Sequence, residues 1–368
     1  MKKRVVSLFL VAAMTVGLVA GCVSKKEASD SGDKKKGEGY ELALITDVGT
    51  IDDKSFNQGS WEGLEKYAKE NNISHKYYKP EEKSDEACLA AIDLAVKGGA
   101  KLVVTPGFLF EGPIHEAQSK YPDVSFILID AEPKDADGKV DIAKNTLAIY
   151  YAEEQAGYLA GYAAVKEGYK KLGFMGGIAV PAVIRYGYGY IQGADAAAKE
   201  LGLNAGDVSI KYTYVGNFEA SPENQTLAKS WYTEGVECIF ACGGAVGNSV
   251  MAAAEGEGKT VIGVDVDQSG ESDTVITSAM KGLGISVYDA IASFYDKKFE
   301  GGKTLTFTAA EDGVGLAMET NRFKNFTQKD YDEIFGKLKD GSITVQKDDV
   351  AEDASGIATE IVKVENIQ

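Results

Sequence analysis

Two histidines, His75 and His115, are the only side chains among 368 residues that ordinarily titrate near neutral pH. General base chemistry therefore has little to draw on. His115 stands in "HEAQS", without the second histidine of a metalloprotease helix, and neither a GxSxG elbow nor a GxxxxGK[ST] phosphate loop occurs. Cysteine is scarce as well: there are 4, and only Cys88, Cys238 and Cys242 follow the first 22 residues. An odd number in a chain of this size excludes a disulfide framework. Cys238 and Cys242 share one face of the apolar run "ECIFAC", which points to core packing, and too few histidines accompany them to complete a metal site. Basic residues are in deficit, with 39 Lys+Arg against 56 Asp+Glu and a net charge of -17. That balance argues against nucleic acid as a partner, because phosphate backbones select basic surfaces.

The N-terminus is the exception to the acidic balance. "MKKRVVSLFLVAAMTVGLVAGC" sets a basic start before an apolar stretch from Val5 to Gly21, shorter than the roughly 20 residues a bilayer core requires. It reads as a secretory signal over residues 1–21, and the chain is expected outside the cytoplasm. Cys22 directly after "LVAG" resembles a bacterial lipobox, so Cys22 is expected to become the acylated N-terminus, with palmitate among its chains. Each buried methylene contributes about 0.8 kcal/mol, so several chains make a stable tether to the cell membrane. Loss of Lys2, Lys3 and Arg4 with the leader takes the mature charge to about -20. Residues 22–39 are lysine, serine, acid and glycine with almost nothing apolar, and are expected to form a flexible linker behind the anchor.

Beyond residue 40, short apolar runs such as "LALIT", "KLVVT", "SFILID", "ECIFAC" and "TVIGVD" alternate with segments of helical period. Continuous apolar strands between helices predict an α/β fold with parallel sheets covered on both faces. "SPEN" places Ser221 as an N-cap with Pro222 at the first helical position. About 300 residues exceed what one core ordinarily sustains, so two Rossmann-like lobes are expected, with a first crossover near 145–151. The expected division, drawn in part by fold analogy, gives lobe 1 residues 40–148 with about 280–303, and lobe 2 residues 149–279 with about 304–345. Residues 346–368 are expected to be a C-terminal extension.

The loops after the strands carry the chemistry. Asp47 follows "LALIT", Asp130 closes "SFILI" and Asp265 closes "VIGV". In open parallel sheets the ligand crevice lies beyond the carboxyl ends of the strands, so these acids are expected to converge there. Ionised carboxylates only accept hydrogen bonds, which suits a polyol or a nucleobase. "ITDVGTIDDKSFNQ" lacks the ligand pattern of a calcium loop, and its acidity repels phosphate. Phe56 in that segment and Phe218 in "YVGNFEASPE" could sandwich a flat ring by offset stacking, one from each lobe. Gly244 in "CGGAVGNS" allows a ligand close to the backbone, while "GYGYIQG" is expected to ease helix packing. Lys281, next to the expected crossover, could bind a ligand hydroxyl or pair with an acid.

With these residues in view, the chain resembles the basic membrane protein family of bacterial lipoproteins, the purine nucleoside receptor type of solute-binding protein. The resemblance spans roughly residues 40 to 345 and rests on "ITDVGTIDDKSFNQGSWEGL", "FILIDAEP", "EEQAGYLAGYAA", "YVGNFEA" and "VIGVDVDQ". It implies a type I periplasmic-binding fold whose lobes are joined by a hinge. The implied role is to hold a nucleoside (inosine, guanosine or adenosine) and deliver it to an ABC permease in the membrane. Phe56 and Phe218 would then stack on the base, Asp47, Asn57 and Asp130 would read its polar edge, and Gly244 would lie against it. Asp265 and Lys281 would hold the ribose hydroxyls, with Asp267 the alternative acid. A monomer without cofactor or metal is implied. The rival readings are a sugar or autoinducer receptor on the same fold and a nucleoside-hydrolysing enzyme.

Overall fold

The computed structural model describes residues 39–47 and 49–367, so the signal segment, Cys22 and nearly all of the linker lie outside the described residues. In chain order the first half forms β1 (Leu42–Ile45), α1 (Phe56–Glu70), β2 (His75–Tyr78), α2 (Asp85–Lys97), β3 (Leu102–Pro106), α3 (Glu111–Lys120), β4 (Ser125–Ile129) and β5 (Thr146–Tyr151). The chain continues with α4 (Glu153–Glu167), β6 (Lys171–Gly176), α5 (Pro181–Glu200), β7 (Val208–Tyr214), α6 (Pro222–Thr233), β8 (Cys238–Cys242), α7 (Val246–Glu257) and β9 (Thr260–Asp265). It closes with β10 (Val275–Lys281), α8 (Leu283–Tyr295), β11 (Lys303–Phe307), β12 (Val314–Leu316), α9 (Gln328–Lys339) and β13 (Val362–Asn366).

Two sheets result. One has the order β11-β5-β4-β3-β1-β2, the other β12-β10-β9-β8-β6-β7-β13. Every pairing is parallel except β10 with β12. Side-chain alternation explains why the apolar runs are continuous. Leu42 and Leu44 of β1 pack with Trp61 and Leu64 of α1, while Ala43 and Ile45 pack with Ala91 and Ile92 of α2. The second sheet repeats the pattern: Ile239 and Ala241 of β8 face α6 and α7, and Phe240 faces α4 and α5. With helices on both faces a strand has no wet side, and the sequence needs no polar alternation there. The Ser221 hydroxyl accepts from the Asn224 amide at 3.1 Å, with Pro222 at the helix start, as its spacing predicts.

The strand pairings differ from the expected division in three places. β5 runs to Tyr151 and pairs with β4, so the first sheet extends past residue 148. β10 continues to Lys281 beside β9, yet α8, which follows it, packs on α1 of the first lobe; the chain crosses between them. β11, expected in lobe 2 from residue 304 onward, pairs with β5 and lengthens the first sheet. With no fully buried residue it is an edge strand, which carries no address for either sheet. The expected C-terminal extension is part of the second sheet: β13 pairs with β7 from Val362↔Val208 to Asn366↔Tyr212. Asp195 of α5 pins this segment by accepting amide hydrogens from Ile361 at 2.7 Å and Val362 at 3.0 Å.

Helices α4 and α5 lie unusually close together. A Cβ on Gly161 would stand 2.0 Å from the Tyr190 carbonyl oxygen, and one on Gly193 would stand 1.9 Å from that of Tyr158. Only hydrogen fits at such contacts, so "GYGYIQG" and "AGYLAG" interlock as two small-residue faces. Their N-termini, carrying Glu153 and Arg185, meet at the crossover between the sheets.

Candidate functional site

The acidic loop after β1 is organised by its own side chains. Asp53 is buried and takes hydrogen bonds from the Ser55, Asn57 and Gln58 amides at 2.9, 3.0 and 3.1 Å, which caps α1. Phe56 is consequently the first residue of that helix rather than part of the loop. Asn57, also in α1, accepts from the Asp47 amide at 3.2 Å and gives its two side-chain protons to Asp47 and Asp53, both at 2.8 Å. Its donors are committed inside the protein, so Asn57 orients Asp47. Burial pushes the Asp47 carboxyl up to about 6, against the pull of the Gly49 amide and the Asn57 side chain.

Asp130 and Asp265, at the ends of β4 and β9, both have left-handed backbones, with φ of 58° and 67°. Aspartate tolerates this region better than most residues, and holding two strand ends there aims both carboxylates inward. Between them sits the Lys281 ammonium, whose side chain is 2% exposed. Lys281 donates to Asp130 and lies 3.2 Å from Glu153 and 3.7 Å from Asp265. Ser55 of the first lobe donates to the other Asp265 oxygen. Arg185 closes the cluster through Nε to Glu153 at 2.6 Å, with Nη1 on Asp349 at 2.6 Å.

The cluster sets two cations, Lys281 and Arg185, against four carboxylates, Asp130, Glu153, Asp265 and Asp349. Burial pushes the Asp130 carboxyl up to about 7 even though Lys281 pulls it down, and Asp265 is raised for the same reason. Burial alone would also raise Glu153, but Arg185 and Lys281 outweigh it and hold Glu153 below its ordinary range. Lys281 stays protonated because its three carboxylates more than offset its desolvation. The second oxygen of Asp130, Oδ1, is buried and accepts no hydrogen bond. An unpartnered buried carboxylate oxygen is costly unless something else donates to it.

Asp130, Asp265 and Lys281 of this cluster border a cavity of about 530 Å³ between the two sheets. Asp47, Phe56, Asn57, Asp130, Phe218, Gly244, Asp265 and Lys281 all line it. Asp267 does not: it accepts from Thr320 at 2.6 Å and borders a second groove, which Asp265 and Lys281 also line. One ring face is set by Lys281, whose ammonium lies 4.8 Å from the Phe56 centroid. The other ring is set by a glycine: a Cβ on Gly177 would stand 2.4 Å from the Phe218 ring, so that ring lies directly over the backbone. Gly244, with φ of 55°, begins the turn into α7 beside it. The start of α5, from Val180 to Val183, and Tyr186 complete an apolar wall.

Sequence reasoning did not single out Asp53, Glu153, Arg185 or Tyr186. An acid in the first turn of a helix reads as a complement to the helix dipole, which hid Glu153. An arginine inside "VIRYGYGY" was the available signal, since a charge on so apolar a helix needs a buried partner. Cys242 also lines the cavity, but burial pushes its thiol well above the ordinary range and leaves it a packing residue.

Two parallel-sheet lobes, three chain crossings and a cavity at the carboxyl ends of both sets of strands define the type I periplasmic-binding fold. The chain belongs to the family of PnrA-like ABC transporter substrate-binding proteins, whose model matches residues 40–349. It is 30% identical to the ABC transporter nucleoside-binding protein BmpA of Lactococcus lactis subsp. cremoris over 94% of this chain and 99% of that protein. It is likewise 30% identical to basic membrane protein D of Borreliella burgdorferi, covering 89% of this chain and 93% of the relative. Among solved structures, an ABC transporter solute-binding protein of Aeropyrum pernix superposes with a TM-score of 0.67 at 24% identity, covering 83% of this chain and 87% of the other.

Proposed function

We propose that the cleft binds a purine nucleoside, that the lobes close on it, and that the loaded protein delivers it to an ABC permease from the outer face of the membrane. Acylated Cys22 would be the tether. The observation that carries the reading is the convergence of one phenyl ring from each lobe with a set of buried carboxylates on a single cavity. Phe56 and Phe218 flank the base by offset stacking. Asp47 and Asp130 accept from its edge, with Asp130 Oδ1 as the free acceptor. Asp265 and Lys281 take the ribose hydroxyls, and Gly244 lies against the ligand. Asn57 acts one step back, by holding Asp47. The relative named as nucleoside-binding and the relatives named as lipoproteins or membrane proteins support substrate class and location.

Phosphorylated nucleosides fit this site poorly, because the carboxylates at the cavity outnumber its one ammonium. The family and the relative named as substrate- and nucleoside-binding support a receptor over an enzyme. Calorimetric titration of mature protein, freed of co-purified ligand by unfolding and refolding, tests the reading with inosine, guanosine, adenosine and ribose. Saturable heat with at least one purine nucleoside is expected. Heat with ribose alone would make the protein a sugar receptor, and silence with all three nucleosides would reject nucleoside binding.

A further inference from the structure

We propose that Glu153 is a positioning residue for the binding site, holding the Lys281 ammonium from outside the cavity with Arg185 as its fixed counter-charge. Lys281 has three carboxylate neighbours, and two of them, Asp130 and Asp265, belong to the cavity wall. The third is Glu153, fully buried and not among the lining residues. A lysine held only by wall groups would move whenever a ligand recruited those oxygens. Glu153 supplies an anchor that the ligand cannot reach.

The anchor is itself fixed. Arg185 binds Glu153 Oε2 through Nε, which leaves Oε1 in an ion pair with Lys281 at 3.2 Å but without a hydrogen bond. Glu153 is the first residue of α4 and Arg185 lies in the second turn of α5, the pair of helices locked by glycine contacts, which limits the drift of carboxylate and guanidinium. Beyond Arg185, Asp349 of the C-terminal segment holds a second guanidinium nitrogen, Nη1, at 2.6 Å, while Nη2 is buried without a hydrogen-bond partner. Placement of the ammonium then passes to three site elements at once: the two aspartates and the Phe56 ring, which Lys281 faces at 4.8 Å. The ion cluster costs desolvation and contributes little net stability, but it fixes one arrangement of charges.

Asp130 reports on this network. It is faced by Lys281 from β10, Glu153 from α4, Arg185 from α5 and Tyr151 from β5, and Asp265 from β9 shares its lysine. Glu153 raises the Asp130 carboxyl and Arg185 lowers it. Removing the two charges singly should therefore move the Asp130 titration in opposite directions, which a residue of merely structural importance would not do.

The test uses E153Q, R185Q and E153D in the mature protein. Asp130 is titrated without ligand by 13C NMR of aspartate-labelled protein, and inosine affinity is measured by calorimetry. Expected are an Asp130 midpoint shifted to lower pH in E153Q and to higher pH in R185Q, with inosine bound roughly tenfold or more weakly in both. E153D keeps the charge but withdraws it, so its midpoint stays near that of the parent while inosine binding weakens; it carries the comparison if either neutral variant does not fold. Unchanged midpoint and affinity in E153Q, shifts of the same sign in the neutral pair, or E153D binding like the parent would overturn the proposal. The affinity arm rests on the nucleoside reading. A parent protein that binds no nucleoside rejects that reading and leaves the ligand-free titration to judge Glu153.

Discussion

A carboxylate buried at a strand end with one oxygen unpaired destabilises the free protein and is useful only when a donor arrives. Asp130 is such a group, and Asp47 a milder one. Burial raises Asp47 to about 6, Asp130 to about 7 and Glu154 to about 7, whereas the unfolded chain releases these protons near 3.8 for aspartate and 4.5 for glutamate. Between those limits the folded state binds more protons than the unfolded one, so stability falls as pH rises through the window. Glu153 and Asp195, held below their ordinary range, act only in more acidic solution. Scanning calorimetry of ligand-free protein should therefore give a lower Tm at about pH 8 than at about pH 5.5. Nucleoside affinity should run the other way and weaken as acid protonates Asp130, because a carboxylate must ionise to accept at both oxygens. A second expectation concerns the rings: Phe218→Ala should weaken nucleoside binding by about 1–3 kcal/mol while lowering Tm only modestly, since the ring is partly exposed and packs at the margin of the core over the Gly177 backbone. At this scale the sequence was informative where a residue sits at a strand end and uninformative where its role is indirect. Asp47, Asp130 and Asp265 announce themselves by position. Glu153 and Asp53 look like ordinary helix-start acids, and only their three-dimensional partners separate them from that class.

Helices α4 and α5 set the frame for the cluster, and their contact leaves no room for a methyl group. Gly161→Ala should destabilise the protein by about 1–3 kcal/mol, because its Cβ would collide with the Tyr190 carbonyl 2.0 Å away. Gly256→Ala in α7 is the control: nothing lies within 4 Å of its Cβ, so better helix propensity should stabilise by about 0.5 kcal/mol. Urea unfolding of both variants distinguishes close approach from backbone freedom. Element identity was legible because buried strands and capped helices leave local signals, as Ser221 and Pro222 do. Element placement was not. β11 and β13 are short, half-exposed strands that extend edges, and which edge accepts them depends on the geometry of sheets already formed. Nothing in five residues of mixed exposure names the partner.

At the scale of the molecule, both lobes contribute to the lining of the cavity. The first supplies Asp47, Phe56 and Asp130; the second supplies Phe218, Gly244, Asp265 and Lys281. The lobes also touch directly: Gln268 donates to the Lys54 carbonyl at 2.7 Å, and Lys54 pairs with Glu271 at 3.4 Å. A ligand can drive closure only by binding the closed arrangement better than the open one, and under the proposed function contacts drawn from both lobes would provide that difference. The most direct measurement is a crystal structure of the mature protein grown with inosine. The account predicts the hypoxanthine ring between Phe56 and Phe218, a ligand donor on Asp130 Oδ1 and the ribose hydroxyls on Asp265 and Lys281. Inosine found outside the cleft, or lying in it with the base away from both rings, would contradict the account.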